Sequence, residues 1–194
     1  MEPWLVVGLG NPGPAYAGHR HNIGYAVVEE LAGRVGARFR PPHGLRAEIA
    51  EARLGPIGRD AVRVVLAKPR TFMNESGGAV AGLLRYLKIA PDRMVAVHDE
   101  LDIDPGQIRT KFDGGDNGHN GLKSIRKSIG TGDFYRVRIG IGRPPGRQDP
   151  ADFLLSDFAP SDRNWVAVEV TRAADAVESL LSVGLERTQN AFNS

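Results

Sequence analysis

The chain has 194 residues, of which 41% are hydrophobic and 25% are charged, with a formal net charge of +2. This length fits one folded domain of roughly 100–200 residues, and the absence of cysteine excludes disulfides, thiolate nucleophiles and cysteine-bound metal clusters. The longest apolar run is about six residues against the roughly 20 of a membrane span, and the N-terminus lacks signal-peptide character, so we expect a soluble cytoplasmic protein.

Apolar segments of two different periods alternate along the chain. Short runs rich in β-branched residues predict strands, and apolar residues spaced by three or four predict helices. In chain order the predicted elements are a strand at 4–8, a helix at 23–35, a hairpin-like strand pair at 46–54 and 61–67 joined by 55–58, a helix at 80–87 capped by Ser76, strands at 94–97 and 107–112, a helix at 122–129, a strand at 135–141, a helix at 161–184 and a short C-terminal helix.

Strands that alternate with helices are typical of α/β proteins, in which helices connect parallel strands. No internal repeat, low-complexity run or linker interrupts this order. We therefore predict a single α/β domain spanning residues 1–194, with a twisted, mixed and largely parallel β-sheet flanked by helices.

Charge is distributed unevenly along the sequence. Residues 107–147 carry nine basic and three acidic residues, whereas residues 148–194 carry three basic and eight acidic residues. A basic segment of this density attracts a polyanion such as nucleic acid. The alternative is a solvated basic face opposite an acidic face of the same domain, and charge alone leaves both interpretations open.

Three glycines after the first strand, Gly8, Gly10 and Gly13, match the dinucleotide-binding pattern G-x-G-x-x-G. Pro12 and Pro14 flank the third glycine, and a proline has no N–H to offer a pyrophosphate. No acidic residue follows the first helix where a bound ribose would need one. A nucleotide-dependent oxidoreductase therefore stays a minor alternative, and we interpret the glycines as a sharp turn.

Polar side chains cluster where predicted strands end or helices begin. The clusters are Asn11 with Tyr16, residues 19–22, residues 72–74, His98 with Asp99, and the glycine-rich segment 114–121. Brought together at one sheet edge, they favour hydrolysis in which a histidine takes a proton from water, an aspartate orients it and amides bind the oxyanion. Water is the expected nucleophile, because no serine lies in a G-x-S-x-G elbow.

Each of these residues also has a purely structural interpretation. His21 and Asn22 suit a helix start, and Asp99 and His119 suit turns. A metal site is a further alternative, but the histidines lack a recognised ligand spacing. We therefore predict neither a metal nor a cofactor.

Seven segments, in order, give the chain a specific resemblance. They are residues 7–13, Tyr16, and residues 20–24, 68–77, 98–102, 118–122 and 136–142. With these segments the chain resembles bacterial-type peptidyl-tRNA hydrolases. The resemblance implies a monomeric enzyme without metal that cleaves the ester between a peptide and the 3′-terminal ribose of tRNA, and so recycles tRNA released during translation.

The resemblance also implies roles for individual residues. His21 is the expected general base, Asp99 supports its basic form, and Asn11 contacts the peptide amide and helps to reject free aminoacyl-tRNA. The residues expected to bind the peptide or tRNA are Tyr16, Phe72, Met73, Asn74, His119 and Asn120, with Lys111, Arg138 and Arg147 on the phosphates.

One departure from the family pattern lies before His119. Many members have a more glycine-rich loop there, whereas this chain has Asp116 and Asn117. The acid lowers the local positive charge, while asparagine tolerates the left-handed backbone that such a turn needs. A catalytically silent RNA-binding protein of the same fold is the main alternative to the hydrolase.

Overall fold

The computed structural model describes residues 2–55 and 60–193, so most of the predicted turn at 55–58 lies outside the described residues. The described residues form a six-stranded sheet in the order β2-β3-β1-β4-β6-β5. The strands are β1 (Trp4–Gly8), β2 (Ala47–Leu54), β3 (Val62–Pro69), β4 (Met94–Glu100), β5 (Ile108–Phe112) and β6 (Tyr135–Gly140).

Four neighbouring strands, β3, β1, β4 and β6, run parallel, and β2 and β5 pair antiparallel at the two edges. This arrangement confirms the predicted mixed and largely parallel sheet. Because helices cover both faces of such a sheet, its central strands read as continuous apolar runs rather than as alternating patterns.

Helices pack in two layers against this sheet. The α-helices are α1 (Ile23–Arg34), α2 (Ser76–Leu87), α3 (Asn120–Ile129), α4 (Pro150–Leu154), α5 (Arg163–Val183) and α6 (Leu185–Phe192). Helices α1 and α5 share one apolar core with the sheet, and α2 and α3 share the other. No helix among residues 2–55 and 60–193 is both long enough and apolar enough to cross a membrane.

The structure differs from the sequence prediction at several points. Helix α2 begins at Ser76 rather than after it, because a helical turn leads directly into this residue. Strand β4 runs on through His98, Asp99 and Glu100, because these polar residues continue the ladder to β6. Helix α3 begins at Asn120, two residues before its first apolar position. Helix α4 was not predicted, since its five residues are too few to show a helical period.

The C-terminal segment covers the edge strand β5. The Asn193 amide oxygen accepts from the Thr110 backbone N–H at 2.8 Å, and its amide nitrogen donates to the Thr110 carbonyl at 3.2 Å. The side chain therefore replaces a neighbouring strand at this residue. Covering an edge in this way protects it from pairing with other chains.

Two glycines allow α1 to contact the sheet backbone to backbone. A Cβ on Gly8 would collide with the Gly24 carbonyl, and a Cβ on Gly24 would collide with the Val97 carbonyl and lie 2.7 Å from the Leu9 amide nitrogen. The start of α1 is therefore held against the carboxyl ends of β1 and β4. No helix begins directly after Gly13, as a dinucleotide site would require; the next helical turn starts at Arg20.

We predict that Gly24→Ala destabilises the protein by about 3 kcal/mol, because backbone atoms cannot yield as a flexible side chain can. Urea unfolding measures the change. Gly33→Ala is the matched control in the same helix, where a Cβ meets nothing within 4 Å, and should stabilise by about 0.5–1 kcal/mol. Equal stability of the two variants would contradict the close packing.

Candidate active site

The ends of β1 and β4 bring the predicted catalytic pair together. His21 lies in a helical turn, Arg20–Asn22, directly before α1, and Asp99 lies near the end of β4. Since Gly24 rests on the Val97 carbonyl, the first turn of this segment reaches the end of β4. Both side chains are buried, with His21 5% and Asp99 1% exposed.

His21 and Asp99 form a direct hydrogen bond, in which His21 Nδ1 donates to Asp99 Oδ2 at 2.7 Å. The other ring nitrogen of the neutral imidazole, Nε2, is then an acceptor. Burial lowers the pKa of His21, but the Asp99 charge and this hydrogen bond outweigh burial, so that the pKa is raised above its usual value. Burial alone would raise the pKa of Asp99, yet the two neighbouring histidines hold that pKa far below its usual range.

His119 donates to the second oxygen of the same carboxylate. Its Nε2 lies 2.9 Å from Asp99 Oδ1, and its Nδ1 accepts from the backbone N–H groups of Gly121 and Leu122 at 3.1 and 3.3 Å. His119 is the N-cap of α3 and is buried, rather than lying in a mobile loop. His119 also lines the pocket beside His21, so the substrate contact that the sequence suggested stays a prediction.

A third histidine, His98, packs against this group. Its ring centroid lies 4.8 Å from that of His119, and its Nδ1 donates to the Asp99 carbonyl at 2.7 Å. Complete burial keeps the pKa of His98 well below its usual value. His98 is therefore a neutral spacer that holds the Asp99 backbone.

Hydrogen bonds hold both the side chain and the backbone of Asn11. Its Oδ1 accepts the Met73 N–H at 2.7 Å, so its Nδ2 is free to donate. Asn22 exchanges two hydrogen bonds with the Asn11 backbone, at 2.9 and 2.8 Å. Asn22 was not among the predicted site residues, although it adjoins His21. Met73 contributes its backbone here, while its side chain is buried in the core.

The remaining residues predicted to bind the peptide or the acceptor end lie in different places. The Tyr16 and Phe72 rings meet edge to face with centroids 6.0 Å apart, and Phe72 is 52% exposed. Asn120 borders a small pocket of about 40 Å³ that His21 and Asp99 also line. Asn120 and Asn74 also border a groove of about 700 Å³ between α2 and α3. Asn120 therefore lies where the pocket meets the groove.

The nine basic residues of 107–147 divide into two groups in the structure. Four form hydrogen bonds with other groups of the chain: Arg109 with Asn193 and Gln107, Arg126 with Asp116, Arg136 with three backbone carbonyls, and Arg143 with Asp102. Within the described ranges, no ion pair involves the other five, which are Lys111, Lys123, Lys127, Arg138 and Arg147.

The unpaired cations lie on two surfaces near the site. Lys111 and Arg138 share one face of the β5–β6 edge, and Arg138 is in register with His98 on β4. Lys123 and Lys127 border the groove, together with Arg46. Arg147 is exposed in the loop after β6. The groove lysines were missed as site residues, since only the position of α3 brings them beside Asn74.

Arg20 anchors a wall of the pocket that the sequence did not predict. Its guanidinium donates to Ser156 Oγ at 2.7 Å and to the Asp157 carbonyl at 2.8 Å, and lies 4.1 Å from the centre of the Phe153 ring. Phe153 belongs to α4, whose Leu154 lines the pocket beside His21. Arg20 therefore ties α4 to the turn that carries the histidine.

The loop before His119 is held by its two unusual residues. Asn117 has a left-handed backbone, with φ of 49°, and its amide donates to Glu100 at 2.9 Å and to Asp102 at 2.7 Å. Asp116 pairs with Arg126 at 3.2 Å. The expected tolerance of asparagine for this turn is confirmed, and the extra acid is compensated by Arg126.

We predict that Asn117→Gly speeds amide hydrogen exchange in residues 114–118, because it removes two hydrogen bonds to carboxylates and keeps the positive φ. Exchange followed by mass spectrometry measures this effect. Asn117→Ala should show the same faster exchange, and its free energy of unfolding should be lower by a further ~1 kcal/mol, since alanine is strained at this φ. Unchanged exchange in both variants would contradict the tether.

Known proteins resemble this chain over nearly its whole length. The family model for peptidyl-tRNA hydrolase matches residues 5–194. The peptidyl-tRNA hydrolase of Streptomyces coelicolor is 57% identical, covering 99% of this chain and 96% of the relative. That of Mycolicibacterium smegmatis is 51% identical, covering 100% and 98%. A crystal structure of peptidyl-tRNA hydrolase from Acinetobacter baumannii superposes with a TM-score of 0.86 at 35% identity, covering 100% of this chain and 95% of that one. The chain belongs to the peptidyl-tRNA hydrolase family.

Proposed function

We propose that this hydrolase cleaves the ester between a peptide and the 3′-terminal ribose of tRNA with His21 as general base. One observation carries the assignment of the base: His21 Nδ1 donates to the buried Asp99 at 2.7 Å, and His21 lines a pocket. His21 Nε2 makes no hydrogen bond within the described parts of the chain. It is therefore the atom available to a water molecule.

The chemistry follows from this arrangement. Nε2 takes a proton from water as the water oxygen attacks the ester carbonyl carbon, and Asp99 stabilises the imidazolium that forms. The carbonyl oxygen becomes an oxyanion, and we assign its stabilisation to the Nδ2 donors of Asn11. When the carbon–oxygen bond to ribose breaks, the imidazolium returns the proton to the ribose oxygen. The products are a free peptide carboxyl group and intact tRNA.

Asn11 also supplies the discrimination against free aminoacyl-tRNA. Its Oδ1 is occupied by the Met73 N–H, so it offers N–H donors to the substrate. A peptide carbonyl oxygen accepts such a donor, whereas a free ammonium group has only donors of its own. A blocked amino group is therefore favoured over a charged one.

Binding of tRNA is assigned to the unpaired cations and the exposed polar residues. We assign phosphate contacts to Lys111, Arg138 and Arg147. The residues assigned to the acceptor end and the peptide are Tyr16, Phe72, Asn74 and Asn120. Phosphate contacts fix the position of a nucleic acid without reading its sequence, as an enzyme for many tRNAs requires. The lysine-lined groove beside Asn120 extends this surface.

We also propose action in the cytoplasm as a monomer, without a metal or cofactor. His21, Asp99 and His119 have ligand atoms within 4.8 Å of one another, which is close enough for one ion. However, the nitrogens that face Asp99 already donate to it, and His119 Nδ1 is occupied by backbone N–H groups. A metal would have to displace these hydrogen bonds.

The decisive test is hydrolysis of one N-acetylated aminoacyl-tRNA in the presence of a chelator. We expect full release by the wild type and a loss of about 10²–10⁴-fold in kcat for His21→Ala, with tRNA binding retained. His43→Ala, at an exposed loop residue, is the matched control and should keep its activity. Near-normal turnover by His21→Ala would remove the base assignment, and binding without release by the wild type would favour the silent RNA-binding alternative.

A second prediction concerns Asn11→Asp. The new carboxylate keeps an oxygen for the Met73 N–H but attracts an ammonium group, so preference for the blocked substrate should fall by about tenfold or more. The ratio of kcat/KM for N-acetylated and free aminoacyl-tRNA measures it. An unchanged ratio would show that another residue discriminates between the two substrates.

A further inference from the structure

His119 completes a chain of hydrogen bonds that the proposed mechanism does not use. Backbone N–H groups of Gly121 and Leu122 donate to His119 Nδ1, His119 Nε2 donates to Asp99 Oδ1, and His21 donates to Asp99 Oδ2. The chain thus runs from the first turn of α3 to the base. The two oxygens of one carboxylate each serve one imidazole.

We propose that His119 is a positioning residue, whose Nε2–H fixes the Asp99 carboxylate and weakens the negative charge that Asp99 presents to His21. The inference rests on the proposed function, because it concerns the base assigned there. It differs from the substrate contact that the sequence suggested for His119, and the KM measurement below distinguishes the two roles.

The neutral state of His119 follows from its contacts. A protonated Nδ1 would place an N–H against two backbone N–H groups, at 3.1 and 3.3 Å, with no acceptor between them. The positive end of the α3 dipole further disfavours a cation at this position. His119 therefore keeps its proton on Nε2 and donates it to Asp99 while His21 changes charge.

The packing around His119 is built for this orientation. A Cβ on Gly121 would lie 2.6 Å from Met73 Sδ and 3.1 Å from His119 Cε1, so glycine leaves the space that the ring occupies. Serine, aspartate and asparagine are the usual N-caps, whereas histidine is not among them. A short cap would not span the distance to Asp99. The choice of histidine is therefore explained by its second nitrogen.

The other charged and titratable groups near the pair come from several elements. On β4, His98 is neutral and packs on His119, and Glu100 is held by Asn117 of the loop. On β6, the positive charge of Arg136 contributes to the lowered pKa of His98, and backbone carbonyls bind the Arg136 guanidinium. On the α4 side the pocket is lined by Leu154, which carries no charge. His119 is thus the only group besides His21, among the described residues, whose side chain donates to the Asp99 carboxylate.

The sign of the expected effect follows from the charge on Asp99. That charge favours the imidazolium of His21, and a hydrogen bond from His119 weakens it. Removing the donor raises the pKa of His21, and the base is active only when neutral. The acid limb of the kcat/KM profile should therefore move to higher pH.

Two substitutions separate the relay from the helix cap. His119→Asn keeps a good N-cap but is too short to donate to Asp99, whereas His119→Gln keeps a donor at the reach of Nε2 and caps poorly. For His119→Asn we expect kcat to fall about tenfold and the acid limb of the kcat/KM profile to move up by about half to one pH unit, with KM near wild type. Its Tm should also fall, because one oxygen of the buried Asp99 carboxylate loses its donor. For His119→Gln we expect the acid limb and most of kcat to be rescued, with a lower Tm.

Several outcomes would overturn the proposal. A raised KM with unchanged kcat and acid limb would make His119 a substrate contact, and equal pH profiles for the two variants would make it only a cap. As a readout independent of activity, ¹⁵N NMR of labelled histidine should show His119 as the Nε2–H tautomer, and the Nδ1–H tautomer would overturn the proposal. Failure of the proposed function is distinct, because the wild type itself would then not release the blocked aminoacyl group.

Discussion

The Asp99 carboxylate, buried at the end of β4, is the charge around which the site is organised. Removing a carboxylate from water costs several kcal/mol, on the order of what the rest of a small domain gains net, unless donors replace the water. Here His21 and His119 each satisfy one oxygen. The His21–Asp99 hydrogen bond, on which the proposed mechanism depends, therefore also helps to stabilise the buried charge. The two histidines are coupled, because they share one carboxylate.

Backbone groups hold most of the polar side chains in this site. The Met73 N–H binds the Asn11 side chain, and the first amides of α3 bind the His119 ring. The close contact of Gly24 with the Val97 carbonyl positions the turn that carries His21. Groups held in this way need no rearrangement as charge develops on the substrate, which is the main source of electrostatic catalysis. The carboxyl end of β4 carries Asp99, and the close contact of α1 with the sheet holds the neighbouring turn in place.

The strands and the largely parallel character of the sheet could be predicted from the sequence, because buried parallel strands are apolar runs bounded by turn residues. It did not show that β4 continues through Asp99, since the pattern ends where polar residues begin and only pairing with β6 extends it. The role of His119 was also hidden, because it depends on where α3 starts. The number of basic residues in 107–147 also overestimates the number of cations available to a ligand. Four of them already bind other groups of the chain, mostly groups distant in sequence: Arg109, Arg126, Arg136 and Arg143.

The first turn of helix α3 connects the proposed base to the proposed substrate-binding surface. Its first amides orient His119 against Asp99, and Asn120, the next residue, borders both the pocket and the basic groove. The loop before it is tied to the end of β4 through Asn117 and Glu100. Because the same few residues set the helix start, the loop and the carboxylate geometry, a change in the loop sequence alters substrate contact and base orientation together. The departure at Asp116 and Asn117 is tolerated because both residues find partners, Arg126 for the first and two carboxylates for the second.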